Sequence, residues 1–202
     1  MNFKTILFDF DGVLCFDYFY TTTLKPEHSE IADWIAKNVF EGNRELVRRW
    51  MRGEVTSDQV NDDIASRTGI DVEILKEAFE ESVRLMKLDD QLLALINTLR
   101  KQGTKVGLVT DNMDVFSEIT VKNNNLSQKF DAVVNSADYG FLKKEQNGRL
   151  FDIALEKLGE KNISKSLMID NQSDVIELYE KKGGRGFLYK NFVEFKNWIK
   201  SQ

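Results

Sequence analysis

Two carboxylates close the first apolar run of the chain, in the stretch Phe8-Asp9-Phe10-Asp11-Gly12-Val13-Leu14. Side chains alternate along a strand, so Asp9 and Asp11 project from the same side of a strand that ends near Phe8. Two charges held there are costly to bury unless something positive lies between them. Hard oxygen ligands at the end of a parallel strand suit Mg2+, which takes a few carboxylates together with water and a substrate phosphate. A turn with two solvated aspartates is the plainer alternative.

Three later stretches carry residue types that belong to the same chemistry. Thr110 closes Val106-Gly107-Leu108-Val109 and is followed by Asp111 and Asn112. A hydroxyl and the backbone N–H groups after it can grip a phosphate oxygen. Lys143 stands in Ser136-Ala137-Asp138-Tyr139-Gly140-Phe141-Leu142-Lys143-Lys144-Glu145, and Asp170 and Asp174 follow Ser166-Leu167-Met168-Ile169 as Asp-x-x-x-Asp. Each has an ordinary reading as well: a strand-end threonine, a surface lysine, a helix N-cap with an acidic first turn. Their order along the chain, each near the end of a predicted strand, is what makes the set improbable by chance.

The elements that must position these groups are legible as period. Short runs rich in Val, Ile, Leu and Phe predict strands at 4–9, 104–110, 131–135, 166–170 and 185–189, of the kind covered on both faces. Stripes at helical spacing lie between them: Leu92, Leu95, Ile96 and Leu99; Phe151, Ala154, Leu155 and Leu158; Val175, Ile176 and Tyr179. Alternating strands and helices predict an α/β fold with a doubly wound, mostly parallel sheet. Residues 16–88 break the alternation, with no strand pattern and four helical faces. Thr56-Ser57-Asp58-Gln59 reads there as a capping box. The expected organisation is a core of residues 1–15 and 89–202, with 16–88 a small all-helical cap over the carboxyl edge of the sheet, where ligands of such sheets bind.

With these motifs in place, the chain resembles the haloacid dehalogenase-like (HAD) hydrolase superfamily, in the subfamily with a helical cap between the first and second motifs. The resemblance rests on FDFDGVL, LVTDN, the 136–143 segment and MIDNQSDV, and spans essentially the whole chain. It implies a Mg2+-dependent phosphohydrolase acting on a small phosphorylated metabolite, a sugar phosphate for example, through an aspartyl phosphate. Asp9 is implied as nucleophile. Asp11 is implied as the acid that protonates the leaving oxygen and then activates water, its backbone carbonyl touching Mg2+. Thr110, with Asp111 and Asn112, is implied in binding the transferred group, and Lys143 in neutralising both Asp9 and phosphate. Asp170 is implied as a metal ligand, with Asp174 supporting that shell or orienting the lysine. Two positions depart from the family pattern: Lys144 stands where proline usually follows the lysine, which leaves open which lysine enters the site, and Ile169 precedes Asp170 where glycine or aspartate is frequent. A phosphomutase of the β-phosphoglucomutase kind and a non-catalytic, receiver-like phospho-binding protein are the alternatives.

Composition narrows the partners. A net charge of −5 offers no general attraction to nucleic acid or anionic lipid. One cysteine, Cys15, forbids an internal disulfide, and the interrupted apolar start is too short for a signal peptide or a membrane span, so a cytoplasmic monomer or homodimer is expected. P-loop, dinucleotide and serine-hydrolase signatures are missing. His28 near the start of the helical segment does not pair convincingly with Cys15. Arg48, Arg49 and Arg52 beside Trp50 read as a solvated helix face over a buried indole, and Phe16, Asp17, Tyr18, Phe19 and Tyr20 as candidates to line a cleft.

Overall fold

The computed structural model describes residues 3–202. Residues 1 and 2, which open the expected 1–15 stretch, lie outside the described residues. Five parallel strands form one sheet: β1 (Thr5–Phe8), β2 (Lys105–Thr110), β3 (Ala132–Asn135), β4 (Ser166–Asp170) and β5 (Arg185–Leu188), in the order β3-β2-β1-β4-β5. The chain therefore winds outward from β1 in one direction and later in the other. That places the topological switch point, and with it the natural ligand crevice, beside the carboxyl end of β1. The α/β fold and its parallel sheet are as expected from the sequence, with strand ends shifted by about one residue.

Alternation along the strands feeds two apolar layers. Ile6 and Phe8 of β1 join Val106 and Leu108 of β2 on one face, where helix α5 (Asp90–Lys101) packs Leu92, Ile96 and Leu99 against them. Leu7, Val109, Val134 and Met168 point the other way, onto Phe151, Ala154, Val175 and Tyr179. The helices on the first face and its edges also include α6 (Val121–Asn123), α7 (Leu126–Lys129) and α10 (Phe192–Lys200), and those on the second are α8 (Arg149–Lys157) and α9 (Ser173–Lys181). Cys15 packs into the first layer, and burial pushes its thiol up to about 12, which leaves it unreactive.

Residues 16–88 contain helices α1 (Ser29–Ile35, continued by a wider π turn over Ala36–Glu41), α2 (Arg44–Met51), α3 (Ser57–Thr68) and α4 (Val72–Arg84). They share an apolar cluster of their own around Trp50, Ile64, Leu75 and Phe79, which Met113 and Val115 join from the chain after β2. The capping box forms at α3: Thr56 accepts from the Gln59 amide while Gln59 accepts from the Thr56 amide. Thr56→Ala is expected to cost about 1 kcal/mol, a fall in melting temperature of about 2–4 °C. A circular-dichroism melt reads this directly, and an unchanged midpoint would refute a role for the box in stability.

Asp114 ties this segment to the sheet. Its carboxylate accepts from the Trp50 indole N–H (3.1 Å), the Ser57 amide (2.8 Å) and the Ser57 hydroxyl. One acidic side chain at the start of the helical turn after β2 thus holds the end of α2 and the start of α3 together, and nothing in its sequence context announced that.

Candidate active site

The carboxyl ends of the three central strands converge on one lysine. Asp9 continues from β1, its amide donating to Ile169 O of β4, and Asp170 ends β4. The Lys143 ammonium sits between them, 2.8 Å from Asp9 Oδ2 and 2.6 Å from Asp170 Oδ2, and all three side chains are almost completely buried. The remaining carboxylate oxygens are used as well: Asp9 Oδ1 accepts from the Phe10 amide and Asp170 Oδ1 from the Gln172 amide, both at 2.8 Å. Each carboxylate is thereby fixed with one edge toward the lysine.

The geometry settles the choice between the two lysines. Lys143 is 1% exposed, whereas Lys144 turns outward and pairs with Asp174 at the surface. Asp174 is thereby placed apart from the cluster, its carboxylate exposed and shared between Lys144 and the Val175 amide. Of the expected metal set, the structure brings together Asp9, Asp11 and Asp170 and leaves Asp174 at the rim.

Asp111 and Asn112 hold the site's own parts. Asp111 Oδ1 accepts from the Lys143 amide at 2.7 Å, and Asn112 Nδ2 donates to Asp11 Oδ2 at 2.9 Å. Thr110, completely buried at the end of β2, has a hydroxyl oxygen with no hydrogen-bond partner. A buried hydroxyl with no partner in the protein is available to a ligand oxygen at this strand end. At the other side Asn171 presses on the turn after Asp11: a Cβ at Gly12, whose φ is +73°, would lie 2.0 Å from Asn171 Nδ2. Gly12 is required there on both counts.

The electrostatics show an excess of acid. Burial drives the Asp9 pKa well above the carboxylate norm; Lys143 pulls it down, and Asp170 and Asp11 push it up again. Burial would lower the Lys143 pKa, but Asp9, Asp170 and Asp111 surround it and raise it far above the ordinary lysine value. Asp111 is also raised, burial outweighing the pull of Lys143. Asp11 keeps solvent access on one side, yet the protein packed around its carboxyl pushes it up to about 6 against the pull of Lys143. One ammonium does not neutralise these carboxylates, and further positive charge is favoured between them.

That imbalance is the test of fit for a divalent cation. Two buried, oriented carboxylates at the switch point, with an unpartnered hydroxyl beside them, match an ion that takes few protein ligands and completes its shell with water and phosphate. Among the described residues no three acidic, histidine or cysteine side chains form a group that could hold a metal ion by themselves. The Asp9 and Asp170 carboxylates fit Mg2+ in this way.

Sequence reading missed the supports. Ser136, fully buried after β3, accepts from the Asn112 amide and donates to Met51 O of α2. Glu145 accepts from Leu142 N and from Arg52, so Arg52 is not part of a solvated face as expected. These contacts join elements distant in sequence and leave no local period or motif.

Comparison with known proteins agrees with this architecture. The chain is 26% identical over 193 residues to pyrimidine 5'-nucleotidase YjjG of Escherichia coli (strain K12), covering 87% of this chain and 81% of that protein. A predicted HAD-like family hydrolase from Porphyromonas gingivalis matches with a TM-score of 0.75 over 100% of both chains at 13% identity. A HAD family enzyme from Bacteroides thetaiotaomicron, in complex with magnesium and inorganic phosphate, matches with a TM-score of 0.70 over 93% of this chain and 94% of that one at 17% identity. At such identities these likenesses speak for the fold. The profile of the haloacid dehalogenase-like hydrolases matches residues 3–176, and with the DxDG turn, the buried lysine and the strand-end aspartate in one crevice, the chain belongs to that family.

Proposed function

We propose that this hydrolase is a Mg2+-dependent phosphatase acting on a small phosphate monoester through a phosphorylated Asp9. The observation that carries the reading is the Lys143 ammonium held between Asp9 and Asp170 beside the unpartnered Thr110 hydroxyl. Asp9 and Asp170, with the Asp11 carbonyl, would hold Mg2+, which supplies positive charge toward phosphate oxygens.

Asp9 then attacks phosphorus with a carboxylate oxygen as the bond to the leaving oxygen breaks. Asp11 gives that oxygen a proton. In the second half Asp11 takes a proton from water, the water oxygen attacks phosphorus, and the Asp9–phosphorus bond breaks to release inorganic phosphate. Thr110 donates to a phosphoryl oxygen and Lys143 neutralises charge as it builds up. Splitting the displacement through a covalent carboxylate replaces one difficult step by two easier ones. The helical segment 16–88 serves as the cap that closes the crevice during the first step. A haloacid dehalogenase reaction is disfavoured, since it needs neither a second aspartate nor a divalent ion.

The substrate is a small phosphorylated metabolite, with sugar phosphates and pyrimidine nucleoside 5'-monophosphates as the first two classes to test. The second class is suggested by the similarity to YjjG. A panel of both, assayed for free phosphate with Mg2+ and with chelator, is expected to give release that depends on the ion. Isomerisation of a sugar phosphate without release would favour a mutase. A long-lived phospho-Asp9 with negligible turnover would favour a receiver-like protein.

A further inference from the structure

We propose that Arg52 is a positioning residue: by binding Glu145 it ties the helical segment to the loop that carries Lys143, and so helps to hold the ammonium between Asp9 and Asp170. The inference rests on the reading of Lys143 as part of the reacting centre.

Three consecutive residues at the end of α2 meet the chain beyond β3. Met51 O accepts from Ser136 Oγ, whose oxygen accepts from the Asn112 amide, and Asn112 in turn holds Asp11. Gly53, at φ +68°, lies so close to Ala137 that a Cβ there would stand 2.6 Å from its carbonyl oxygen. Arg52 lies between them and spreads its guanidinium over Glu145, with Nε 3.1 Å and 3.0 Å from the two carboxylate oxygens and Nη2 also on Oε1. Glu45 and Glu54 each stand 3.7 Å from Nη1, and the arginine side chain is only 18% exposed. This is the fork geometry that only arginine provides.

Glu145 closes the turn around Lys143. Its carboxylate accepts from the Leu142 amide at 2.9 Å, and its own amide donates to Leu142 O at 2.9 Å. Lys143 and Lys144 are the two residues between, one turned into the site and the other out. No proline stiffens this turn. The chain then runs through three successive left-handed residues, Gln146 (φ +47°), Asn147 (φ +55°) and Gly148 (φ +73°). Gln146 and Asn147 adopt that conformation at a cost, so contacts from outside must hold the segment. Two are present: Arg52 on Glu145, and the Lys182 ammonium 2.8 Å from Asn147 O. Of these two, the first comes from the helical segment, so seating α2 fastens the lysine loop.

The test compares Arg52→Ala, Arg52→Lys, Glu145→Gln, the double variant Arg52→Ala/Glu145→Gln and the exchanged pair Arg52→Glu/Glu145→Arg in the full chain. Amide hydrogen exchange over residues 141–148 is measured beside kcat and KM for the best phosphate ester. Arg52→Ala and Glu145→Gln are each expected to speed exchange of that segment and to lower kcat about tenfold, with KM little changed and the double variant no worse than either single. Partial recovery in the exchanged pair supports the tether. A raised KM in Arg52→Ala with kcat and exchange unchanged would make Arg52 a substrate contact and overturn the inference, as would additive losses. Faster exchange in a protein whose wild type releases phosphate from no ester would instead overturn the phosphatase reading, and the catalytic part of this role with it.

Discussion

Asp9→Asn is expected to reduce turnover of p-nitrophenyl phosphate on the order of a thousandfold or more, while the protein becomes no less stable. On the proposed mechanism the loss follows from replacing the carboxylate that attacks phosphorus. The stability half follows from burial. A carboxylate whose pKa is raised on folding prefers its protonated form in the folded state, so its charge subtracts from stability at every pH above the unfolded value near 4. Asparagine has no such charge, and Lys143 keeps Asp170 as a partner. A gain of about 1 kcal/mol at pH 7 is expected, or about 2–4 °C in melting temperature, and it should shrink as pH falls and the native Asp9 takes up its proton. Undiminished turnover would remove Asp9 as nucleophile. A lowered melting temperature would show that its charge holds the fold together.

Lys143→Met is expected to fail on both counts. The substitution leaves Asp9 and Asp170 facing one another without the ammonium between them. Removing one partner of a buried ion pair costs about 3–5 kcal/mol, and in a chain of this size that lowers the melting temperature by about 10 °C. The sign of the pH dependence is fixed by the lysine itself. Its pKa is raised on folding, so its contribution is complete below the unfolded value near 10 and is lost only as pH rises through the folded one. At pH 7 the full deficit is therefore present. Toward pH 5 it should narrow, because Asp9, whose pKa burial raises, can take up a proton. Turnover should fall below detection. Lys144→Met provides the comparison: its pair with Asp174 is largely exposed, and a change within about 0.5 kcal/mol is expected. Equal losses for the two lysines would reject the assignment of Lys143 to the site.

These two experiments turn on a distinction that composition could not make. Lys143 and Lys144 are chemically identical neighbours; which one is buried depends on Asp111 holding the Lys143 amide and on Glu145 closing the turn, contacts that are set by the fold. The strands were readable because a covered parallel strand leaves an unbroken apolar run, and helix α3 because its capping box is local. Strand-end position then delivered Asp9, Thr110 and Asp170 to one edge of the sheet. Orientation was not readable in the same way. Asp174 has the spacing of a second acidic ligand but sits in the first turn of α9 facing Lys144, and Asp111 and Asn112, adjacent in the chain, serve Lys143 and Asp11 respectively. Arg52 and Asp114 were opaque for a further reason, since their partners lie far away in sequence.

The central place of β1 bears on how such a molecule is made. Thr5 pairs with Lys105 on one side and with Ser166 on the other, so β1 has to wait until β4 has been made before both its edges are covered. Contacts so remote in sequence slow assembly, and the waiting segment is greasy and unpaired while the ribosome is still at work. Asp9 and Asp11 place two negative charges at the tip of that strand while it is unpaired, where like charges discourage neighbouring nascent chains from zipping onto it.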